Sequence, residues 1–119
     1  MVQSYKELVA WNKAMELVTE IYRVTHNFPK EELFGLMSQL RRAAVSIPSN
    51  IAEGKGRLSK GEFRQFLGNA RGSLAEVETQ ILIAQNLSYL DEPETNRLLT
   101  KLEEVGKILN GLISAVKNQ

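Results

Sequence analysis

Few residues of this 119-residue chain have the types and spacing that catalysis requires. Gly56 and Gly61 have the spacing of a phosphate-binding loop, but Glu62 occupies the position at which such a loop needs a lysine. The single histidine, His26, follows Arg23 by three residues, where a di-iron helical bundle would need a glutamate. Neither pattern therefore supports phosphate or di-iron chemistry.

Nucleophilic and thiol chemistry have no support either. Ser46 and Ser49 have no histidine or lysine in the same motif that would activate a hydroxyl group. The chain contains no cysteine, which excludes thiol catalysis, zinc fingers and iron–sulfur clusters. We therefore predict that the protein is not an enzyme and has no catalytic residue, metal site or cofactor.

Positive charge is concentrated in one part of the chain. Residues 41–72 carry seven basic and two acidic side chains, a net charge of +5, whereas the remainder carries −4 and the whole chain only +1. Such asymmetry marks a region that attracts a polyanion. The predicted nucleic-acid-binding residues are Arg41, Lys55, Arg57, Lys60, Arg64 and Arg71.

Apolar residues recur at intervals of three and four in four segments, which predicts four amphipathic helices, and no segment alternates with period two for long enough to form a strand. The predicted apolar stripes are Leu8, Trp11, Met15, Val18 and Tyr22, widened by Leu17, Ile21 and Val24; Met37, Leu40, Ala44, Ile47 and Ile51; Phe63, Leu67, Ala70, Leu74, Val77, Ile81 and Ala84; and Leu98, Leu102, Val105, Leu109, Leu112 and Val116.

Capping patterns, prolines and glycines predict where these helices begin and end. The first runs from Lys6 to about Asn27 after a capping box of Ser4 and Glu7, the second from Phe28 to Gly54 and Gly56, the third from Ser59, and the fourth from Asp91. Short loops favour an all-α, antiparallel up-and-down four-helix bundle, and the length favours one domain over residues 1–119. Without a long apolar run or a signal peptide, we expect a cytoplasmic protein with no membrane contact.

Pro48 lies inside the second predicted helix, where its ring disturbs the bonding of the Ala44 carbonyl, so we expect a kink or a local break. The residues around it form one polar face: Arg42, Ser46, Ser49, Asn50 and Glu53. Serine hydroxyls can satisfy carbonyls that a proline releases, which is the interpretation we favour for Ser46. For Arg42, Asn50 and Glu53, a local role and a subunit-contact strip are equally supported.

The third predicted helix has small residues opposite its apolar stripe, at Gly68, Gly72, Ala75 and Thr79. A glycine inside a helix costs about 1 kcal/mol relative to alanine, and close approach of another backbone is the usual compensation. That backbone belongs either to another helix of the same chain or to a neighbouring subunit.

Three interpretations of the basic residues are open. In the first, Arg41, Arg64 and Arg71 form ordinary surface ion pairs with glutamates of the first and fourth helices. In the second, the loop residues Lys55, Arg57 and Lys60, continued by Arg64 and Arg71 along one flank of the third helix, follow a phosphate backbone. In the third, this stripe docks an acidic protein. No aromatic side chain is interleaved with these residues, so we expect no stacking platform for bases and weak sequence specificity.

One motif resembles a known family. The run QLRRAAVSIPSNIAEGKGR, between FPKEELFGL and EFRQFLGNARGSLAEVETQ, resembles four-helix-bundle proteins encoded in intervening sequences of bacterial 23S ribosomal RNA genes. The resemblance extends from about Tyr5 to Leu90 and more loosely over the last helix. The members of this family are small cytoplasmic proteins of unknown function. Their distant relatives include accessory proteins of diversity-generating retroelements. Those relatives are basic homopentamers that bind nucleic acid and a reverse transcriptase.

The resemblance implies a helical bundle, a ring-like homo-oligomer such as a pentamer, and a connection to nucleic acid. Combined with the basic segment, it predicts a non-enzymatic oligomeric protein that binds RNA or DNA. The alternative is a protein–protein interaction scaffold or adapter with no nucleic-acid role.

Overall fold

Four long helices account for most of the chain. The computed structural model describes residues 4–117, and within this range the chain forms helices and no strands. The helices are α1 (Val9–Thr25), α2 (Leu36–Lys55), α3 (Lys60–Asn86) and α4 (Glu92–Lys117), with short 3-10 turns at Tyr5–Glu7 and Lys30–Glu32. The predicted all-α, four-helix fold is confirmed, although residues 1–3 and 118–119 of the predicted domain lie outside the described residues.

Each helix packs against the next, and α4 returns to pack against α1. Lys13 of α1 contacts Glu104 of α4, whereas Arg23, ten residues further along α1, contacts Glu94. The two helices therefore run in opposite directions, and the assembled molecule is elongated, with extents of 45 × 25 × 19 Å. Over residues 4–117, no helix has the length and apolar character needed to cross a bilayer.

The predicted stripes of α2 and α3 line the core, and so does most of the stripe of α4. The stripe predicted for the first helix is wrong in part, because Met15 and Tyr22 are 41% and 42% exposed. The core face of α1 is instead formed by Ala10, Ala14 and the residues that widened the predicted stripe. Small alanine side chains let α1 approach its neighbours closely, and the bulkier residues lie on the flank of α1.

The beginnings of α3 and α4 follow the predicted capping patterns. Ser59 Oγ accepts a hydrogen bond from the backbone N–H of Glu62 at 3.1 Å, and Asp91 Oδ1 accepts one from the N–H of Glu94 at 2.9 Å. These bonds satisfy backbone donors that have no partner within the first helical turn.

The first two helices begin later than predicted. Ser4 caps only the short turn Tyr5–Glu7, and extended backbone at Leu8 separates this turn from α1. The Asn12 side chain donates to the carbonyl oxygens of Lys6 and Leu8 at 2.9 and 3.0 Å, which stabilises this break. The second helix begins at Leu36 rather than Phe28, because the segment after Pro29 forms a separate 3-10 turn.

The helix α2 continues through Pro48 to Lys55, so the local break allowed by the sequence is absent. A bend of the helix axis at Pro48 stays a prediction. The Ser46 hydroxyl lies 2.7 Å from the carbonyl oxygen of Ala43 and 2.6 Å from Ser73 Oγ, not beside the Ala44 carbonyl. The interpretation of Ser46 as the partner of the released carbonyl is therefore wrong, and this residue joins α2 to α3.

The start of α2 depends on an ionised carboxylate. Glu32 accepts hydrogen bonds from the backbone N–H of Leu36 at 2.9 Å and from the Tyr89 hydroxyl at 2.8 Å. These two bonds, the Leu36 bond most strongly, hold the pKa of Glu32 below its ordinary value of 4.5. Glu32 lies in the connection between α1 and α2, and Tyr89 lies in the connection between α3 and α4. The bond between their side chains therefore joins these two connections.

We expect the free energy of unfolding to fall as the pH decreases below about 4.5, through the folded-state pKa of Glu32. A carboxyl group with a lowered folded-state pKa stabilises the fold above its unfolded-state pKa and loses that contribution on protonation. Urea unfolding at several pH values should show a shallower acid dependence for Glu32→Gln than for wild type. Glu31→Gln is the matched control, and an equal acid dependence in Glu32→Gln and wild type would contradict the assignment.

Candidate nucleic-acid interface

The connection between α2 and α3 brings four of the six predicted nucleic-acid-binding residues to one end of the bundle. Lys55 ends α2, Arg57 lies in the loop, and Lys60 and Arg64 occupy the first turns of α3. Arg57, Lys60 and Arg64 are exposed, and Lys55 is half-buried. We call this set of four residues the basic end.

Two phenylalanine rings support the basic end. Lys55 Nζ lies 5.7 Å from the ring centroid of Phe63, and the Arg57 guanidinium lies 4.7 Å from that of Phe66. A cation over an aromatic face gains about 0.5–1 kcal/mol at an exposed site. The expectation that no aromatic side chain accompanies the basic residues is therefore wrong. The positions of Phe63 and Phe66 on either side of Arg64 were the missed signal.

A glycine sets how closely α2 and α3 approach at this end. A Cβ atom on Gly54 would lie 2.6 Å from the Cβ of Phe66 and 3.1 Å from Cδ1 of Phe63. Glycine is therefore required for the two rings to pack against α2 where they do. The ion pair between Arg57 and Glu53, at 3.4 Å, is a surface contact that contributes little stability.

A groove of about 400 Å³ opens at the basic end. We call its buried or half-buried apolar side chains, Leu8, Phe63, Leu112 and Val116, the floor of the groove. Its rim includes three of the four basic residues together with Ser59. The residues that line it are Leu8, Gly54, Lys55, Arg57, Leu58, Ser59, Lys60, Phe63, Leu112 and Val116. The groove therefore combines positive charge at the surface with a hydrophobic interior, a combination able to bind an anion that has an apolar part.

Arg41 does not join the basic end. Its Nε donates to Thr25 Oγ1 at 2.8 Å and its Nη2 to the carbonyl oxygen of Tyr22 at 3.3 Å, so it lies at the end of α1. Its guanidinium also covers the Tyr22 ring at 4.5 Å. Basic side chains commonly satisfy the last carbonyls of a helix in this way. Arg41 therefore lies apart from the basic end, and its predicted role in nucleic-acid binding stays a prediction.

Arg71 lies on the flank of α3 that faces α4, where its Nη1 donates to Asn110 Oδ1 at 3.3 Å. Among the described residues, none of Arg41, Arg64 and Arg71 forms an ion pair with a glutamate. The interpretation of these three arginines as ordinary surface ion pairs is therefore wrong.

The glutamates of α1 and α4 pair with other cations. Arg23 and Arg97 both bond to Glu20 and Glu94, at N–O distances from 2.7 to 3.3 Å, and form one network between α1 and α4. Hydrogen bonds from Arg23, and then from Arg97, hold the pKa of Glu20 below its ordinary value. This network lies at the end of α1 opposite the basic end, so its glutamates do not contact the basic end.

The polar face around Pro48 is divided in the structure. Arg42, Ser49 and Glu53 are exposed on α2, whereas Ser46 and Asn50 are half-buried. The Asn50 side chain donates to the carbonyl oxygen of Ser46 at 2.7 Å, which is a local role. Only the three exposed residues are placed to contact another molecule directly.

The small residues of α3 face away from the rest of the chain. Gly72, Ala75 and Thr79 are exposed and Gly68 is half-buried. A Cβ atom on Gly68 or Gly72 would meet no atom within 4 Å among the described residues. Packing of this face against another helix of the same chain is therefore wrong, and the face is open to a neighbouring molecule.

A second exposed surface was missed in the sequence. The partly exposed residues of α1 form an apolar groove with the facing flank of α2, lined by Tyr5, Trp11, Met15, Val18, Val45, Pro48, Ser49 and Ala52. The signal was present, because the regular stripe predicted for the first helix contains more apolar positions than one core face can use. Phe34, before α2, is also 92% exposed.

Comparisons with known proteins identify relatives of this chain. The sequence model described as 23S rRNA-intervening sequence protein matches residues 6–111. A crystal structure of a protein of unknown function from the S23 ribosomal protein family of Bacteroides thetaiotaomicron has a similar fold, with a TM-score of 0.82 and 21% sequence identity. The similarity covers 89% of this chain and 96% of that one. No curated protein matches the chain significantly.

The packing around Gly54 gives a test of how the basic end is held together. Gly54→Ala should lower the free energy of unfolding by about 1–3 kcal/mol, because the added methyl group overlaps the Phe66 side chain. Gly56→Ala is the matched control, since its Cβ would lie at an ordinary contact distance of 3.5 Å from the Glu53 carbonyl oxygen. Urea denaturation of both variants would reject this packing if they were equally stable.

Proposed function

Because the chain belongs to the family of 23S rRNA-intervening sequence proteins, we propose that it is a non-enzymatic, homo-oligomeric protein that binds RNA or DNA. The basic end is the proposed contact surface, and the phosphate backbone is its proposed target. The resemblance to retroelement accessory proteins supports a pentameric ring as the assembled form. The cytoplasm is the proposed location, where ribosomal RNA is found.

The observation that carries this proposal is the clustering of Lys55, Arg57, Lys60 and Arg64 at one end of the molecule. The acidic residues of α1 and α4 are engaged with Arg23, Arg97 and Lys13 elsewhere, so they do not neutralise the cluster. Each phosphate that a basic side chain neutralises releases counterions, which makes binding favourable and dependent on salt. Phosphate contacts position a protein without reading sequence.

Assembly would increase the effect of a small cluster. A ring presents one basic end per subunit, so several weak contacts to one nucleic acid act together and raise the apparent affinity. The open face of small residues on α3 is the proposed subunit contact, because two glycines without intramolecular neighbours let another backbone approach closely. The exposed residues Arg42, Ser49 and Glu53 of α2 are proposed as an additional polar contact.

A protein-interaction scaffold without a nucleic-acid role is the second candidate function. The apolar groove between α1 and α2 favours it, because Met15 and Val45, which line this groove, are each about two-fifths exposed. Exposed apolar surface with polar surroundings is typical of protein interaction sites. Under this hypothesis the basic end is only a solvated surface.

Binding to a structured RNA should fall steeply with salt and should depend on RNA length more than on sequence. Lys60→Glu combined with Arg64→Glu should weaken binding and reduce the slope of log K against log salt by about two, since each phosphate contact contributes roughly one unit. Filter binding at two or more salt concentrations measures both quantities.

The matched control combines Lys101→Glu with Lys107→Glu on α4, which changes the net charge by the same amount away from the basic end. We expect this variant to bind like the wild type. Absence of RNA retention by the wild type at low salt, or equal losses in the two variants, would favour the scaffold function instead.

The subunit contact has its own test. Gly72→Leu should dissociate the oligomer and leave the helix content unchanged, because a large side chain prevents close approach at the small-residue face. Gly111→Leu is the matched control, since Gly111 is an exposed glycine within α4 that also has no neighbour within 4 Å. Light scattering that shows a monomeric wild type at micromolar concentration would overturn the assembly proposal.

A further inference from the structure

We propose that the groove at the basic end holds one unpaired nucleotide of a bound RNA, with its base on the apolar floor and its phosphates at the basic rim. This inference rests on the proposed nucleic-acid function and specifies which part of the RNA is recognised. It predicts a preference for RNA with an unpaired base over a continuous duplex.

The floor of the groove is the first observation. Leu8, Phe63, Leu112 and Val116 line it, and its volume of about 400 Å³ is in the range of small-molecule sites. A phosphate backbone that only tracks the surface leaves these apolar side chains in contact with water. A base that leaves its stack removes them from water, which is favourable in proportion to the apolar area covered.

The aromatic and planar groups beside the groove are the second observation. Phe63 lines the groove and is half-buried, so part of its ring is accessible. The Arg57 guanidinium covers Phe66 at 4.7 Å, and the Arg57 side chain is 42% exposed. Aromatic rings and guanidinium planes are the groups on which proteins stack unpaired RNA bases.

The rim supplies the charge complementarity. A nucleotide in the groove brings its two flanking phosphates to the surface, where Lys55, Arg57 and Lys60 lie. A fully paired duplex presents phosphates to the same cations but no apolar group to the floor. An anionic phospholipid also combines a phosphate with an apolar part, and the experiment below includes it as a competing ligand.

The test compares two RNA hairpins of equal length, one fully paired and one with a single bulged 5-iodouridine. At a salt concentration where both are measurable, wild type should bind the bulged RNA about tenfold more tightly, as expected for one stacked base. Phe63→Leu and Arg57→Lys should each reduce this preference to below about threefold. For the paired hairpin, both variants should keep the wild-type salt dependence, because neither substitution changes the charge of the basic end.

Lys107→Arg is the matched control, because Lys107 is an exposed cation of α4 that belongs neither to the basic end nor to the groove, and this variant should keep the full preference. Photo-crosslinking of the iodouridine, located by mass spectrometry, should map to Phe63 or its groove neighbours. Because the crosslink is measured on the wild-type protein, it tests the unpaired-nucleotide site even if Phe63→Leu does not fold.

Three results would overturn the inference. Equal binding of the two hairpins by wild type would leave the proposed function intact and remove the unpaired-nucleotide site. A crosslink outside the groove would do the same. Failure to retain either hairpin at low salt, with binding of phosphatidylglycerol vesicles that depends on Phe63 and Arg57, would overturn the proposed function as well and assign the groove to a lipid.

Discussion

The close approach of α2 and α3 at Gly54 is the constraint on which the basic end depends. With no Cβ at Gly54, Phe63 and Phe66 can pack against the last turn of α2, and their rings then lie beneath Lys55 and Arg57. The same contact holds the last turn of α2 against the first turns of α3, so it positions the loop and the rim of the groove. A local packing requirement thus determines where the positive charge of the molecule is held.

The distribution of charge is a second consequence of helix order. Because α4 returns to α1, the acidic residues of these two helices face cations across their shared interface, and Arg23 and Arg97 each contact two carboxylates there. Around the α2–α3 connection, the four basic residues of the basic end outnumber the two acidic residues, Glu53 and Glu62. A chain with a net charge of only +1 therefore presents a positive surface at one end.

Periodicity predicted four helices and the core faces of α2 and α3. On these two helices the large apolar side chains occupy a single face, so that face is the one that packs in the core. It failed on α1, since Ala10 and Ala14 carry too little hydrophobic surface to stand out beside Trp11 and Met15. The charge count selected six basic residues, and the fold brings four of them together at one end of the bundle. It did not separate Arg41, because a charge count ignores position along a helix, and Arg41 lies in the first half of α2 whereas Lys55 ends it. The resemblance of the SIPSNIAEG motif predicted the family.

The exposed glycines of α3 also affect how the helix moves. Gly68 and Gly72 lie near the middle of a 27-residue helix, where an added Cβ would meet no atom within 4 Å in the part of the chain that the structure describes. Water therefore has access to the amide groups there, and glycine adds conformational freedom to any locally opened state. In an isolated subunit, we therefore expect amide hydrogen exchange within the interior of α3 to be fastest around these two glycines.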